Sequence, residues 1–279
     1  MVARATRGRT ARPRTAAEVR NSSTMVWLAR AGLAARGVMY VLIGIIAVQI
    51  AVTGSRQQAD RTGAIRLVAH TPFGLVLLWL LVVGFAGMTL WRLAEAIWGA
   101  SGPDGQKAAT RLASLARAVL YGFVTYGILE YALGIGQPTS SDKQSRDLTA
   151  TALHHPGGQE IVGIAGAVTI IAGLVTTYRA YQRSFLKHLN LATARPATRK
   201  AVTRLGQVGG IARGVVFATV GVFLIVAAWD ASPRQAKGID SALRALAHTP
   251  LGPWLLAVVA LGLVIFGVYS WCESRWHAV

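Results

Sequence analysis

Charged residues beside apolar segments are the first candidates for chemistry in this chain. Arg36, Arg117 and Arg213 recur in matching positions, each at the start of an apolar run, and Glu95 and Glu273 lie near the ends of two other runs. A guanidinium group can bind a carboxylate through two hydrogen bonds. The pattern predicts an ion pair between Arg36 and Glu95, and a second between Arg213 and Glu273. The alternatives are arginines that reach singly to lipid headgroups, and a gating role.

A lone carboxylate, Glu130, lies within an apolar run that has no other charge from Ala118 to Ser141. The position that matches it in the first arginine's segment is Gln49. A carboxylate inside a membrane is costly, so Glu130 is a candidate proton or cation site with Gln49 nearby. At a rise of ~1.5 Å per residue it lies ~20 Å from Arg117 along a helix. The alternative is a carboxylate that reaches the outer interface or bonds to a neighbouring helix.

Three histidines occupy corresponding positions at one predicted level, namely His70, His154 and His248. Three imidazoles suit zinc or copper, so a metal site is a candidate if the segments close around an axis. The alternative is an interfacial residue next to a helix cap.

Enzyme signatures are missing from the sequence. No GxSxG, HExxH or phosphate-loop motif is present, and the single cysteine, Cys272, excludes an intrachain disulfide. We therefore expect no enzymatic activity and no cofactor. The basic segments are expected to attract anionic lipid and to set orientation, and no nucleic-acid partner is expected.

The elements that position these residues are apolar helices. Hydrophobic residues make up 53% of the 279 residues and charged residues only 14%, against about 25% charged in a soluble domain. A membrane-spanning helix needs about 20 mostly apolar residues. Six segments meet or approach this length, namely 36–53, 73–91, 115–135, 161–178, 211–229 and 252–272. Their number excludes a soluble single-core protein.

The distribution of basic residues predicts the orientation. The formal net charge is +18. If the N-terminus is inside, the internal segments carry +17 and the external ones +1. Because Lys and Arg accumulate on the cytoplasmic side, we expect a plasma-membrane or inner-membrane protein with both termini in the cytoplasm. Anionic lipids at that face are then the expected partners.

One two-helix unit occurs three times in the sequence. ARGVMY at 35–40, ARAVLY at 116–121 and ARGVVF at 212–217 each open a first helix, and RLVAHTPFG, TALHHPGG and RALAHTPLG precede a second. The motif residues are Arg36, Gly37, Pro72, Arg117, Pro156, Arg213, Gly214 and Pro250. The repeats predict a basic disordered arm at 1–27 and parallel hairpins at 28–100, 111–184 and 204–276, with a pseudo-threefold axis if they close.

Smaller features of the repeat predict local structure. Thr71 is expected to cap a helix that starts at Pro72. The stretches 62–70 and 240–248 are expected to form short amphipathic helices. Glycines seven residues apart, such as Gly37 and Gly44, favour tight packing between helices within the chain, with dimerisation as the alternative.

These motifs resemble the membrane family called domain of unknown function 1206. The resemblance covers about residues 28 to 276 and implies six-span proteins of the inner or plasma membrane built from three hairpins. It implies no catalytic residue, since the family has no assigned activity. The middle copy departs from the pattern, with Ala118 in place of glycine and no arginine matching Arg66 and Arg244. Strict threefold equivalence is therefore not expected.

Three functions fit this architecture. The first is a structural or interaction protein that supports membrane or envelope assembly, with a protein partner or a second copy. The second is a small-solute or ion transporter with a site near Glu130 and Gln49. The third is a metal or ligand sensor at the outer face, using His70, His154 and His248. Transport predicts a polar cavity on the axis, whereas assembly predicts a filled axis.

Overall fold

A computed structural model describes residues 23–55, 57–99, 105–137, 139–191, 194–247 and 252–276. These residues form nine α-helices: α1 (Ser23–Thr53), α2 (Arg61–Ala69), α3 (Gly74–Trp98), α4 (Ala108–Ala132), α5 (Ser141–Leu153), α6 (Gly158–Tyr181), α7 (Pro196–Trp229), α8 (Ile239–Ala247) and α9 (Gly252–Trp276). Two short 3₁₀ helices cover Ser184–His188 and Pro233–Gln235. The fold is all-α, and each repeat contributes two long helices with a short one between them.

Six helices of 24 to 34 residues are long and apolar enough to cross a membrane. Helix α1 begins at Ser23, so residues 23–27 of the predicted arm are its first turn, and the rest of that arm lies outside the described residues. We call the side on which α1, α4 and α7 begin the N face. The opposite side carries α2, α5 and α8, and we call it the short-helix face.

The long helices form an open ring in the order α4, α3, α1, α9, α7, α6. The second long helix of each repeat packs most closely on the first long helix of the next repeat, which gives the pairs α3–α4, α6–α7 and α9–α1. Helices of one repeat also pack together in the first and third copies. In the middle copy, α4 and α6 share no packed interface, so the ring is open there.

Glycine explains the closest of these crossings. A Cβ atom on Gly37 of α1 would lie 2.8 Å from the carbonyl oxygen of Gly267 in α9, and one on Gly214 of α7 would lie 2.7 Å from that of Gly173 in α6. Bare backbones can approach in this way only where the side chain is a hydrogen atom. At the third crossing, Ala118 stands where the other copies have glycine. The small residues therefore serve packing within the chain.

A cyclic set of hydrogen bonds joins the repeats on the short-helix face. Asp60 accepts from the backbone N–H of Ser141 at 2.8 Å, and Asp142 accepts from that of Gly238 at 2.7 Å. Asp240 accepts from that of Ala59 at 2.8 Å, which returns to the first repeat. Each aspartate sits at or near the start of a short helix and binds the next copy. This face therefore closes with pseudo-threefold symmetry, although the membrane helices do not.

The turn into α3 differs from the predicted cap. The Thr71 hydroxyl donates to the Val68 carbonyl at 2.7 Å, and α3 begins at Gly74 rather than at Pro72. The predicted cap is therefore wrong at Thr71. Gly74 lies so close to the last turn of α2 that a Cβ atom would be 2.5 Å from the Ala69 carbonyl oxygen. A side chain would therefore not fit at the first residue of α3. The corresponding Pro250 of the third copy lies outside the described residues.

Candidate functional site

Four arginines and two glutamates meet near the N-face end of the ring. We call Arg36, Arg92, Arg117 and Arg213, with Glu95, Glu273 and Tyr121, the arginine cluster. They come from α1, α3, α4, α7 and α9, so five of the six long helices contribute. The three repeat arginines stand at the same level in their helices, because the repeat places each at the start of an apolar stretch.

Arg36 pairs with Glu273 rather than with the predicted Glu95. Its Nη2 lies 2.6 Å from a Glu273 carboxylate oxygen, with the two side chains 8% and 15% exposed. The Ser270 hydroxyl accepts from the same guanidinium at 3.1 Å, and the ring of Phe266 lies beneath it. The predicted pairing of Arg36 with Glu95 is wrong because α1 packs most closely on α9 of the third repeat, not on its own hairpin partner.

Glu95 is engaged at the α3–α4 crossing. Arg92 of the same helix donates to it at 2.7 Å, and the Ser114 hydroxyl of α4 donates to the same oxygen at 3.3 Å. Glu95 also interacts electrostatically with Arg117 of α4. As at the α9–α1 crossing, a carboxylate near the end of one repeat therefore faces the arginine of the next repeat.

Arg213 has a different environment. The position that corresponds to Glu95 and Glu273 in α6, which packs on α7, is Arg179. Among the described residues Arg213 makes no ion pair, so the predicted pair with Glu273 is wrong, and its buried Nε has no hydrogen-bond partner. Its guanidinium instead lies over aromatic rings, 4.9 Å from the centroid of Phe217 and 5.1 Å from that of Phe266.

The electrostatics of the cluster are unbalanced. Electrostatic interactions link the Tyr121 hydroxyl with Arg36, Arg92 and Arg213, and they link Arg117 with Arg92 and Arg213. Four guanidinium groups face two carboxylates, which leaves two positive charges in excess. Arg36 and Arg92 hold the carboxylates at short distance, so the excess resides on Arg117 and Arg213.

One side of the cluster is open between α4 and α6. Only 17% of the apolar stretch of α4 is buried inside the protein, and the value for α6 is the same, against 56% for α1. Arg117 is exposed, whereas Arg36 is only 7% exposed. Arg117 is therefore the exposed arginine of the cluster, and its helix borders the gap that the middle repeat leaves in the ring.

Glu130 and Gln49 do not form a shared site. Glu130 is half-buried and interacts with the hydroxyl of Tyr126, an exposed residue one turn earlier on the same helix. Gln49 is exposed, and within the described residues no hydrogen bond joins it to Glu130. The predicted pair is separated because α1 and α4 are not neighbours in the ring.

The two predicted metal ligands that the structure describes, His70 and His154, do not form a metal site. His70 and His154 are exposed residues that follow α2 and α5, where they serve as C-caps. His248 lies outside the described residues. In the part of the chain that the structure describes, no group of three His, Cys, Asp or Glu side chains could hold a metal ion.

Comparison with known proteins accounts for the repeat. The family description Domain of Unknown Function (DUF1206) matches this chain three times, at residues 31–99, 112–183 and 208–277. The chain belongs to the DUF1206 family. It is similar to the "Uncharacterized protein YxxB" of Bacillus subtilis (strain 168), with 28% identity over 243 residues that cover 86% of this chain and 87% of that protein. No solved structure matches it.

Sequence reasoning missed several residues of this DUF1206 protein. Tyr121 is the aromatic residue four positions after a repeat arginine, so the repeat motif itself held the signal. Arg92 could have been found as the residue one helical turn before Glu95. The aspartates of the short-helix face, Asp60, Asp142 and Asp240, recur 24 to 27 residues after the repeat arginines. Only their cyclic pairing needed the three-dimensional structure.

Proposed function

We propose that this protein is a membrane-embedded binding protein that holds the acidic headgroup of a lipid in the arginine cluster. Binding without catalysis is its proposed activity. In this role it supports membrane or envelope assembly by keeping acidic lipid at a fixed place. The observation that carries the proposal is Arg213, whose guanidinium lies among aromatic rings with a buried Nε that has no hydrogen-bond partner.

The charge of the cluster supports an anionic ligand. A charged group removed from water is stable only when it is paired or hydrogen-bonded. Arg36 has Glu273 at 2.6 Å and Arg92 has Glu95 at 2.7 Å. Arg213 has no carboxylate, since α6 supplies Arg179 at the corresponding place. A phosphate oxygen suits the planar guanidinium fork and would complete its hydrogen bonds.

The route of access favours a lipid over a soluble anion. The opening between α4 and α6 faces sideways, toward the membrane, and these two helices carry many exposed apolar side chains, among them Leu120, Phe123 and Val168. The cluster also lies at the level where the apolar stretches begin, which is the depth of headgroups. An amphiphile could therefore place its acidic group at Arg117 and Arg213 while its chains stay in the bilayer.

Orientation is part of the same proposal. The excess of basic residues on the N face supports a cytoplasmic position for that face, in a plasma or inner membrane. Acidic lipids of that leaflet would then be the ligands, and both chain termini would be cytoplasmic.

A transporter is the less favoured function. The side chains of α1, α3, α4, α7 and α9 form one continuous hydrophobic core between the cluster and the short-helix face, including Ile46, Ile128 and Leu256, all fully buried. A filled axis is what assembly or binding predicts. Glu130, the candidate ion site, interacts with Tyr126, an exposed residue on its own helix.

The test is native mass spectrometry of the full chain, purified in mild detergent and titrated with phosphatidylglycerol or phosphatidylcholine. We expect the wild-type protein to prefer phosphatidylglycerol. Arg213→Gln and Arg117→Gln should each lower that preference about tenfold, since a charged hydrogen bond is worth ~1.5–3 kcal/mol. Arg204→Gln, an exposed arginine on the same face, is the matched control. Equal binding of the two lipids by wild type, or equal losses in all three variants, would contradict the proposal.

A further inference from the structure

Arg30 indicates a second, independent anion site, because its hydrogen bonding differs from that of the corresponding residues in the other two repeats. The residue six positions before each repeat arginine is Arg30, Arg111 or Gln207. All three lie on first long helices near the N face, next to the C-terminal end of the preceding repeat's last helix. Helix ends carry carbonyl oxygens without intrahelical partners, so a donor at this position can cap them.

Two of the three residues do cap the neighbouring helix. Arg111 donates to the carbonyl oxygens of Ala96 and Ile97 at the end of α3, each at 2.8 Å. Gln207 donates to the carbonyl oxygen of Tyr181 at the end of α6, at 3.1 Å. The position is therefore a capping position of the repeat, and glutamine can fill it.

Arg30 does not cap α9. At this crossing the hydrogen bond runs in the opposite direction, from α9 to α1. The Ser274 hydroxyl of α9 donates to the Arg30 carbonyl oxygen at 2.8 Å. The Trp271 indole N–H also donates to α1, to the Ala34 carbonyl oxygen at 3.1 Å. Among the described residues the Arg30 guanidinium makes no hydrogen bond or ion pair, and its Nε is buried.

The free guanidinium lines a groove between α1 and α9. The groove has a volume of about 430 Å³ and is lined by Trp27, Arg30, Ala31, Ala34, Trp271, Ser274 and Arg275. Two arginines, without a carboxylate among the lining residues, favour an anion as the occupant.

The two tryptophans favour a lipid headgroup as the occupant of the groove. Trp27 is 69% exposed and Trp271 is 42% exposed. Indole rings at the ends of membrane helices lie at the level of lipid headgroups, where the ring is apolar and the N–H is polar. We propose that this groove binds the phosphate of an acidic phospholipid, with Arg30 and Arg275 as the phosphate ligands and the indoles against the glycerol. The arginine cluster is not involved, so the inference does not rest on the proposed function.

The test uses the tryptophans as reporters. The full chain is reconstituted in phosphatidylcholine vesicles that contain a minor fraction of brominated lipid, either phosphatidylglycerol or phosphatidylcholine. Bromine quenches a nearby indole, and the ratio of the two quenching efficiencies measures selectivity for the acidic headgroup. The difference between wild type and Trp27→Phe isolates the signal of the groove. We expect this ratio to exceed one in the wild-type protein.

Arg30→Gln should lower the ratio about fivefold, since one basic residue near a membrane surface is worth ~1 kcal/mol. Arg111→Gln is the matched control, with the same substitution at the corresponding position, and it should leave the ratio unchanged. Because Gln207 occupies the same position in the third copy, Arg30→Gln is expected to fold, and its thermal unfolding midpoint checks this. An unchanged ratio in Arg30→Gln, or an equal loss in Arg111→Gln, would overturn the inference. Loss of selectivity on adding excess inorganic phosphate would also overturn it, because the groove would then bind free phosphate.

Discussion

The ion pair between Arg36 and Glu273 gives the sharpest prediction about the order of helices in the ring. The two side chains meet at 2.6 Å, with 8% and 15% exposure, between the first and the last helix of the chain. Glu273→Gln keeps the shape of the side chain and removes its charge. Arg36 would then remain charged and largely buried, with Ser270 and the ring of Phe266 as its neighbours.

Removing one partner of a buried ion pair costs ~3–5 kcal/mol. Ser270 still accepts from Arg36 at 3.1 Å, and the Phe266 ring lies 5.2 Å from the guanidinium carbon, so part of the stabilisation remains. We therefore expect Glu273→Gln to lower the free energy of unfolding by about 3 kcal/mol, the low end of that range. Equilibrium unfolding of the purified protein in mixed micelles measures this change.

A double-mutant cycle separates the observed pairing from the alternative. Arg36→Met combined with Glu273→Gln should give a coupling energy of ~1–3 kcal/mol, as for residues in contact. The control cycle combines Arg36→Met with Glu95→Gln and should give under ~0.5 kcal/mol, since Glu95 is bound by Arg92 at 2.7 Å. A larger coupling to Glu95 than to Glu273 would refute the placement of α9 against α1.

Three further predictions concern the short-helix face and the apolar span. Asp142→Ala should lower the free energy of unfolding by ~1–3 kcal/mol, since it removes the acceptor of the backbone N–H of Gly238 and of the N–H and hydroxyl of Ser241; a loss under ~0.5 kcal/mol would contradict the cyclic set of hydrogen bonds. Burial raises the pKa of the Asp240 carboxyl group, so this group binds a proton more tightly in the folded protein than in the unfolded chain. Thermal unfolding should therefore show wild type gaining stability relative to Asp240→Asn as the pH falls from ~7 toward ~4, and a constant difference would refute this. Glu130→Gln should change the free energy of unfolding by less than ~0.5 kcal/mol, because its partner Tyr126 is an exposed residue on the same helix; a loss above ~2 kcal/mol would show a buried role.

Much of the architecture follows from the sequence. The apolar segments predicted the six long helices, and the triple motif predicted three copies of one unit, which the three family matches confirm. The helices are longer than the predicted segments because polar and basic turns, such as those at the start of α7, continue the helix beyond the apolar stretch. Hydropathy marks the part of a helix that suits lipid, whereas the helix itself ends at a cap or turn.

Which helices pack against each other could not be predicted from the apolar segments or from the repeat motif. Chain order suggests that α1 packs mainly on α3, and this suggestion led to the wrong partner for Arg36. Each long helix has an apolar face, and that face can be buried equally well against a helix of its own copy or against a helix of the next copy. The glycines at Gly37 and Gly267 favour the next copy, because they allow the backbones of α1 and α9 to touch.

The open side of the ring has a partial sequence signal. The middle copy lacks the repeat glycine, with Ala118 in its place, and it lacks an arginine corresponding to Arg66 and Arg244. These departures indicated that strict threefold symmetry would fail in this copy. They did not indicate that α4 and α6 would separate, since that depends on how tightly each is held by α3 and α7.

The most direct test of the lipid-binding account is a crystal structure of the full chain grown in a lipidic mesophase doped with phosphatidylglycerol. Lipid binding in the arginine cluster predicts a phosphate within hydrogen-bond distance of Arg117 or Arg213, with acyl chains leaving between α4 and α6. A structure with α4 packed directly against α6, and with Arg213 bound to a carboxylate of this chain, would contradict it.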